Sequence, residues 1–167
     1  MRYRDWSYRF AEEVLNSRLA QKQEVKEIIE TIDLDPYEMT RPNLNQAFKE
    51  SFVQKGWESE QPVFAPEDEP AAKIDFMKNR VGVEVAFSHS SFMGIDLLKF
   101  QTLSYSYRNK IDVGIYIVTT RQFQKLMKSK YDQTWSGSLR FAKVKKYLPH
   151  LRYIIQVPIW LIGLESP

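Results

Sequence analysis

The sequence predicts an α/β protein in which a mixed sheet is flanked by helices. An alternation of apolar residues over 81–87 follows the short apolar segment 74–76, as in a β-hairpin. The apolar run 111–118 has the composition of a buried strand. Helical patterns lie between these strands, and the order helix, hairpin, helix, strand, helix, strand favours a mixed sheet flanked by helices.

The N-terminal third of the chain is predicted to be mainly helical. Residues 18–32 have a polar helical pattern. Residues 43–55 have an amphipathic one, with Asn43 as the N-cap and Gly56 as the stop signal. The apolar stripe of this second helix consists of Leu44, Ala47, Phe48 and Phe52.

The hairpin is reached through the acidic segment 58–70, whose three prolines predict a loop. Residues 77–80 are the predicted connection between its strands. Side chains alternate along a strand, so Glu84 and Ala86 share one face of the second strand. The hairpin is expected to bring Asp75 close to Glu84.

Beyond the hairpin, residues 92–107 are predicted to form a helix. Residues 123–130 and 139–148 have the patterns of further helices or turns. The last strand is expected within residues 153–164, where Pro158 indicates an edge strand or a bulge because it has no N–H to donate.

The acids Asp75 and Glu84 favour metal-assisted phosphodiester chemistry. Two carboxylates that converge at a sheet edge repel each other unless a cation lies between them. Mg²⁺ takes oxygen ligands, usually one or two carboxylates, and keeps waters and a substrate phosphate as the rest. The alternative interpretation is a pair of solvated hairpin charges.

Length and composition indicate a single intracellular domain. The 167 residues suffice to bury one sizeable core. The sequence contains no cysteine, which excludes disulfides and cysteine-ligated zinc and favours a cytoplasmic location. No secretory segment or apolar run of membrane length is present, so we expect a soluble protein without a membrane partner.

The net charge is only +3, but its distribution is uneven. Residues 121–146 contain a single acid, Asp132. The eight basic residues of this segment are Arg121, Lys125, Lys128, Lys130, Arg140, Lys143, Lys145 and Lys146. They can follow a phosphate backbone if they share a face, although solvated helix faces often have a similar composition.

Three stretches of the chain carry a resemblance to a known family. The run KIDFMKNRVGVEVAF has an acid at Asp75, a second at Glu84 and a third signature position at 86. YRFAEEVLN at 8–16 and VPIWLIGL at 157–164 are similar to an opening helix and a late core strand. The chain thus resembles the BglII-like type II restriction endonucleases of the PD-(D/E)xK nuclease superfamily. The resemblance implies a restriction-endonuclease-like core over residues 1–167, without the C-terminal extension of the family.

This resemblance implies Mg²⁺-dependent hydrolysis of double-stranded DNA at a short palindromic site. Mg²⁺, for which Mn²⁺ can substitute, would be held by Asp75, Glu84 and the backbone carbonyl of Val85. Glu60 aligns with a position that contributes a further acid, although an acid in this loop can equally be one more solvated charge.

A palindromic duplex is two-fold symmetric, so we expect a homodimer. The predicted helix 92–107 is a candidate interface because of its aromatic residues Phe100, Tyr105 and Tyr107, which can equally pack a core.

Two polar loops are placed by the resemblance where the family reads its bases. One follows the second hairpin strand, and the other lies between the two basic segments. Hydroxyl and imidazole groups can donate to and accept from base edges, but serine-rich loops are often only turns. The predicted DNA-contacting residues are Ser88, His89, Ser90, Thr134, Ser136, Ser138, Arg140 and Lys143.

Ala86 departs from the resemblance. The family has lysine or glutamine at this position, whose polar head holds or activates the attacking water, and alanine does neither. Three explanations are open. Another side chain handles the attacking water, the metal alone suffices at a slower rate, or the chain is a DNA-binding protein without catalysis. The candidates for a replacement are Lys78, His89, Lys99 and Gln101. A protein unrelated to nucleic acid is the remaining alternative.

Overall fold

The computed structural model describes residues 1–64, 72–106 and 109–167. The strands in this part of the chain are β1 (Arg2–Tyr8), β2 (Glu58–Pro62), β3 (Lys73–Lys78), β4 (Val81–Val85), β5 (Val113–Thr119) and β6 (Ile159–Ser166). The α-helices are α1 (Ala11–Asn16), α2 (Leu19–Thr31), α3 (Arg41–Gln54), α4 (Met93–Tyr105), α5 (Arg121–Tyr131) and α6 (Phe141–Tyr147). Two short 3-10 helices are Ser90–Phe92 and Leu148–Leu151.

The strands form one six-stranded mixed sheet in the order β1-β6-β5-β4-β3-β2. Strands β4, β5 and β6 are parallel, whereas the outer pairs are antiparallel. Apolar layers formed with the helices cover both faces, which confirms the predicted fold class. No helix in the described ranges is long and apolar enough to cross a membrane.

The alternation along β4 divides the core into two layers. Val83 packs in the layer that contains Phe52 of α3. Ala86, just beyond β4, packs in the opposite layer with Phe100 of α4. Residues two apart on an extended chain share a face, so Glu84 lies on the side of the sheet that α4 covers. This arrangement places a carboxylate beneath a helix rather than in open solvent.

Both edges of the sheet differ from the prediction. Residues 58–62 pair with β3 as an edge strand, so the loop predicted for 58–70 is wrong at its start; residues 65–71 lie outside the described ranges. At the other edge, β1 pairs with β6 although no strand is predicted there. The opening helix, expected over 8–16, therefore begins only at Ala11.

The amphipathic helix α3 is capped by Thr40, so the prediction of Asn43 as its N-cap is wrong. The Thr40 hydroxyl accepts a hydrogen bond from the Asn43 amide at 3.3 Å, as a residue before the first helical turn does. Gly56, the predicted stop, follows the C-cap with φ of 76°. Glycine adopts this left-handed conformation without the steric cost that a side chain brings.

The hairpin turn is shorter than predicted, because β3 and β4 continue to the positions on either side of Asn79 and Arg80. Both residues have positive φ, 47° and 66°, as in the tight two-residue turns that match the twist of a hairpin. The Arg80 guanidinium holds the turn in place through hydrogen bonds of 2.7 to 3.0 Å to the Asp112 carboxylate.

The interpretation of Pro158 as an edge or bulge residue is wrong. Strand β6 lies inside the sheet, between β1 and β5, and Pro158 precedes its first residue. The Pro158 carbonyl accepts a hydrogen bond from the Gly114 amide at 2.9 Å. The missing N–H is therefore not required by the ladder.

The helix predicted over 92–107 corresponds to α4, which begins at Met93 and ends at Tyr105; residue 107 lies outside the described ranges. Phe100 is fully buried and packs against Tyr116 with a ring-centroid separation of 5.7 Å. Of the two roles open to it, a dimer interface or the core, Phe100 therefore has the core role.

Candidate functional site

Asp75 and Glu84 lie just beyond the last backbone pair of the β3–β4 hairpin, which joins Phe76 to Val83. Their side chains bond to the backbone there. The Val85 amide donates a hydrogen bond to Asp75 Oδ2 at 2.7 Å, and the Asp75 amide donates to Glu84 Oε2 at 3.4 Å. The structure thus brings the two predicted acids together at the end of the hairpin.

A buried polar network continues from Glu84 to α4. Lys99 Nζ donates to Glu84 Oε1 at 2.6 Å and lies 3.5 Å from Asp96 Oδ1. The Tyr116 hydroxyl of β5 donates to Asp96 Oδ2 at 2.7 Å. Glu84 and Asp96 are only 6% and 5% exposed. One ammonium group is therefore held among several carboxylates in a nearly dry environment.

Burial raises the pKa of both acids of the hairpin. The pKa of Glu84 is well above its ordinary value, because repulsion from Asp75 and Asp96 adds to burial and outweighs the attraction of Lys99. The pKa of Asp75 is raised by burial and only partly lowered by the hydrogen bond from Val85. Two carboxyl groups that are costly to ionise side by side form a place that a cation would stabilise.

The donors present fit Mg²⁺. A cavity of about 180 Å³ opens beside Asp75 and Val85, next to Lys49 and Glu60. Among the described residues no group of three or more acids, histidines or cysteines is arranged to hold a metal. Mg²⁺ commonly takes one or two carboxylates and completes its octahedral shell with waters and substrate phosphates, so a two-carboxylate site beside an open cavity suits it.

Glu60 lies on β2 at the same cavity as Asp75. Its carboxylate is exposed and bound to Lys49 at 3.0 Å and to Lys73 at 3.5 Å. The Lys49 ammonium, followed by that of Lys73, lowers the pKa of Glu60 below its ordinary value. Glu60 thus stands beside the acid pair but is already neutralised by two lysines.

Ala86 contributes no polar side-chain group to the site. It is 4% exposed and packs in the apolar layer beneath α4. Its amide donates to the Ile117 carbonyl at 2.8 Å, which continues the pairing of β4 with β5. The side chain at this position therefore points to the same face as that of Glu84, where Lys99 also arrives.

Of the four candidate replacements for the missing polar group, only Lys99 contacts either acid of the pair through a bond identified among the described residues. Lys78 Nζ is bound to Glu24 at 2.8 Å near the hairpin turn. Gln101 Oε1 accepts hydrogen bonds from the amides that precede β6. His89 Nδ1 lies 2.9 Å from Ser91 Oγ in the adjoining loop.

The pKa of Lys99 is raised. Burial by itself lowers it, but the combined attraction of Glu84, Asp96 and Asp75 is larger. The amine is therefore held in its charged form at the acid pair.

The two predicted base-reading loops are neighbours. His89 and Ser138 form an antiparallel bridge, and the Ser90 amide donates to the Gly137 carbonyl at 2.9 Å. The Ser138 hydroxyl is buried and donates to the Phe87 carbonyl at 2.9 Å. Ser138 thus fastens one loop to the other, and its hydroxyl is directed inward rather than to the surface.

Six of the eight basic residues of segment 121–146 line two adjacent cavities of about 670 and 360 Å³. Within the described residues no acid lines either cavity. Lys143 Nζ donates to Ser90 Oγ at 3.1 Å, whereas Lys145 lies over the Trp6 ring. The six residues are Arg121, Lys125, Lys128, Arg140, Lys143 and Lys146. We call this surface the basic face; Ser136 and Thr134 also border it.

Asp96 and Tyr116 belong to the buried network but are not found by sequence reasoning. Asp96 precedes Lys99 by three residues, the spacing at which side chains meet on a helix. Tyr116 stands in a strand that is apolar except for Thr119. An acid within an apolar helix and a hydroxyl within an apolar strand are weak signals singly, and only the packing of α4 on β5 joins them.

Comparisons with known proteins are consistent with this geometry. The sequence model of the family described as restriction endonuclease BglII/BglIII matches residues 3–164. A solved structure of restriction endonuclease BglII complexed with a DNA 16-mer is similar, with a TM-score of 0.77 and 23% sequence identity. The match covers 100% of this chain and 77% of that chain. A search of curated proteins gave no match.

Proposed function

From the finding that the chain belongs to the BglII/BglIII restriction endonuclease family, we propose that it is a type II enzyme that cuts double-stranded DNA at a short palindromic site with Mg²⁺. The observation that carries the proposal is the meeting of Asp75 and Glu84 at the end of the hairpin, where Asp75 lines an open cavity. The family membership supplies the substrate class, and the acid pair supplies the chemistry.

In this proposal the carboxylates of Asp75 and Glu84 and the carbonyl of Val85 hold the metal. When bound, Mg²⁺ lowers the pKa of a coordinated water and neutralises charge that grows on the phosphate oxygens. Other groups of the chain orient the two carboxylates. The Val85 amide fixes the Asp75 carboxylate at 2.7 Å, and Lys99 fixes the Glu84 carboxylate at 2.6 Å. Glu60 would act from the rim of the cavity.

The basic face and the two joined loops would bind the duplex. Cations neutralise phosphates without reading sequence, whereas polar loop side chains contact base edges. We propose Ser88, His89, Ser90, Thr134 and Ser136 as base-reading residues and Arg140 and Lys143 as phosphate contacts. Ser138 would hold the loops together, because its hydroxyl is directed to Phe87. The similar BglII structure is a complex with a DNA 16-mer, which supports a DNA duplex as the ligand.

A homodimer would place one active site on each strand of a palindrome. Exposed apolar side chains on α4 and on the 3-10 helix before it support this proposal: Phe92, Ile95, Leu98 and Tyr105 are 47% to 59% exposed. A glutamate at position 95 is expected to give monomers in analytical ultracentrifugation, while Tyr153→Glu, an exposed aromatic outside α4, leaves the dimer intact. A wild-type protein that sediments as a monomer with and without DNA would remove the homodimer.

The cleavage proposal is tested with purified protein, plasmid DNA and Mg²⁺. Wild-type protein is expected to give discrete fragments, and Glu84→Ala to give none, because a single remaining carboxylate holds Mg²⁺ poorly. The variant should still retard DNA in Ca²⁺, which shows that it is folded. Intact plasmid under varied metal and salt conditions with wild-type protein would contradict the proposal.

A second candidate function, a DNA-binding protein without catalysis, is motivated by Ala86. It predicts retarded DNA mobility without cleavage at any metal concentration. Recovery of cleavage in Ala86→Gln or Ala86→Lys would then show that only the water-handling group is absent. If no retardation appears even at low salt, neither DNA-related function stands.

A further inference from the structure

We propose that Lys99 on α4 supplies the polar head that Ala86 lacks, and that its ammonium contacts the attacking water during hydrolysis. The proposal rests on the proposed nuclease function. It makes Lys99 a catalytic residue of this chain, delivered from a helix rather than from the hairpin strand.

Positions 84 and 86 share one face of the sheet. The two positions are two residues apart on an extended segment, so their side chains project to the same side. That side is covered by α4, which contributes Leu97 and Phe100 to the layer around Ala86. Because position 86 carries only a methyl group, it leaves space on this side for the Lys99 ammonium. Lys99 Nζ lies 2.6 Å from Glu84 Oε1.

The Lys99 amine is held in place by neighbouring side chains before any ligand binds. Asp96 Oδ1 lies 3.5 Å from Nζ, and Asp96 is itself fixed by the Tyr116 hydroxyl at 2.7 Å. The Lys99 side chain is 19% exposed, whereas those of Glu84 and Asp96 are 8% and 7% exposed. Lys99 is thus the most exposed of these three side chains. Asp96 and Tyr116 are positioning residues in this arrangement.

A water oxygen forms a bond to phosphorus as the bond between phosphorus and the leaving ester oxygen breaks. The water proton passes to solvent, and the leaving oxygen takes a proton from solvent. The Lys99 ammonium keeps its own protons: one N–H remains on Glu84, and another donates to the attacking oxygen as that oxygen becomes hydroxide-like. A charged donor favours this developing negative charge.

Lys99→Met tests the proposal, because methionine keeps the length of the side chain and removes the donor. Cleavage at saturating Mg²⁺ is expected to fall about 100-fold or more, as for loss of one positioned hydrogen-bond donor to a developing negative charge. Binding of Mn²⁺, followed by electron paramagnetic resonance without DNA, should be unchanged or tighter, since a competing cation has left Glu84. If Lys99 only supported the fold of the site, Mn²⁺ binding would weaken together with cleavage.

Lys78→Met is the matched control. Lys78 is also a partly buried hairpin-associated lysine in an ion pair, with Glu24 at 2.8 Å, but it lies near the turn rather than at the acid pair. Its loss should lower thermal stability and leave the cleavage rate at saturating Mg²⁺ within about 2-fold of wild type.

A relocation experiment distinguishes the proposal from a general loss of activity. Lys99→Ala removes the amine, and Ala86→Lys returns one to the same face from the strand, so the double variant should recover cleavage at least 10-fold over Lys99→Ala. The double variant also restores a partner for Glu84, which protects the test against misfolding of the single variant. If Lys99→Met cuts DNA at the wild-type rate while Glu84→Ala is inactive, the proposed role of Lys99 is overturned but the nuclease function is not. Wild-type protein that never cuts would overturn the nuclease function itself.

Discussion

Asp75 and Glu84 are placed where folding and function make opposite demands. Burial raises the pKa of each carboxyl group, and repulsion from Asp75 raises that of Glu84 further, so the metal-free protein bears a cost for keeping both ionised. Glu84 gains an ion pair with Lys99, whereas the bond identified for the Asp75 carboxylate is the amide of Val85. Functional sites commonly retain such a cost in stability.

Asp75→Asn is predicted to stabilise the metal-free protein while abolishing cleavage. The asparagine oxygen can still accept from Val85, and the repulsion of Glu84 is removed. We expect a gain of about 1 kcal/mol in the free energy of unfolding near neutral pH. Thermal unfolding with EDTA measures it. A loss of stability in the variant would contradict the strained acid pair.

The gain should depend on pH with a defined sign. The folded-state pKa values of Asp75 and Glu84 lie above their ordinary values of 3.8 and 4.5. Between the ordinary and the raised pKa values, the folded state therefore binds more protons than the unfolded state. The acid pair destabilises the fold as pH rises through this interval. The difference in melting temperature between Asp75→Asn and wild type should be small near pH 4 and grow toward pH 8.

At the scale of elements, the carboxyl ends of β4 and β5 gather the proposed site. Glu84 lies near the end of β4, and the first base-reading loop follows at once. Helix α5 of the basic face begins directly after β5. Parallel strands deliver the loops that follow them to the same edge of a sheet, which is where α/β proteins place ligands. At this edge the loops 88–91 and 133–138 are joined by the Ser90–Gly137 hydrogen bond and the His89–Ser138 bridge.

Gly137→Ala is predicted to weaken DNA binding by disturbing these loops. Gly137 has φ of +82°, and a Cβ there would lie 3.1 Å from His89 Cδ2. Both the left-handed backbone and the contact with His89 disfavour a side chain. A mobility-shift titration in Ca²⁺ should show at least about 5-fold weaker binding, as for a loss of about 1 kcal/mol.

Gly94→Ala is the control for this prediction. Gly94 is helical, and a Cβ there would meet nothing within 4 Å. The substitution should leave DNA binding unchanged and raise stability by up to about 1 kcal/mol. Equal binding by both glycine variants would show that the geometry of the joined loops does not matter for recognition.

The interior of the fold is readable from the sequence, and its edges are not. The strands with apolar alternation or apolar runs, β4 and β5, are predicted nearly to their ends. The edge strands β1 and β2, with sequences RYRDWSY and ESEQP, are polar and look like surface loops. Their pairing depends on partners distant in sequence, and edge strands are commonly charged because one side remains unpaired. The same limitation applies to Asp96 and Tyr116, which meet Lys99 only through tertiary packing.

At the scale of the whole molecule, a small net charge conceals a strong separation of charge. The chain carries +3 overall, yet six cations line adjoining cavities on the basic face. Such a surface attracts a polyanion at long range and holds it independently of sequence. Asp75 lines a separate cavity, beside the hairpin. Binding and chemistry are therefore assigned to different sets of residues that variants can separate.

Lys125→Ala is predicted to reduce the salt dependence of DNA binding. Each phosphate contact contributes a slope of about −0.9 to the plot of log binding constant against log salt. Loss of one contact should make the slope shallower by about 1. Lys130→Ala on the same helix is the control, since Lys130 is exposed but does not line the cavities of the basic face. Equal slopes for both variants would contradict the proposed DNA-binding surface.

We propose that this chain is a metal-dependent nuclease with defined sequence specificity. The most direct test is to incubate the wild-type protein with a mixed DNA library and Mg²⁺ and to sequence every new end. We expect the new ends to share one short palindromic sequence cut at a constant position, and we expect Glu84→Ala to produce no new ends. Ends scattered without a common sequence, or a library that remains intact, would contradict it.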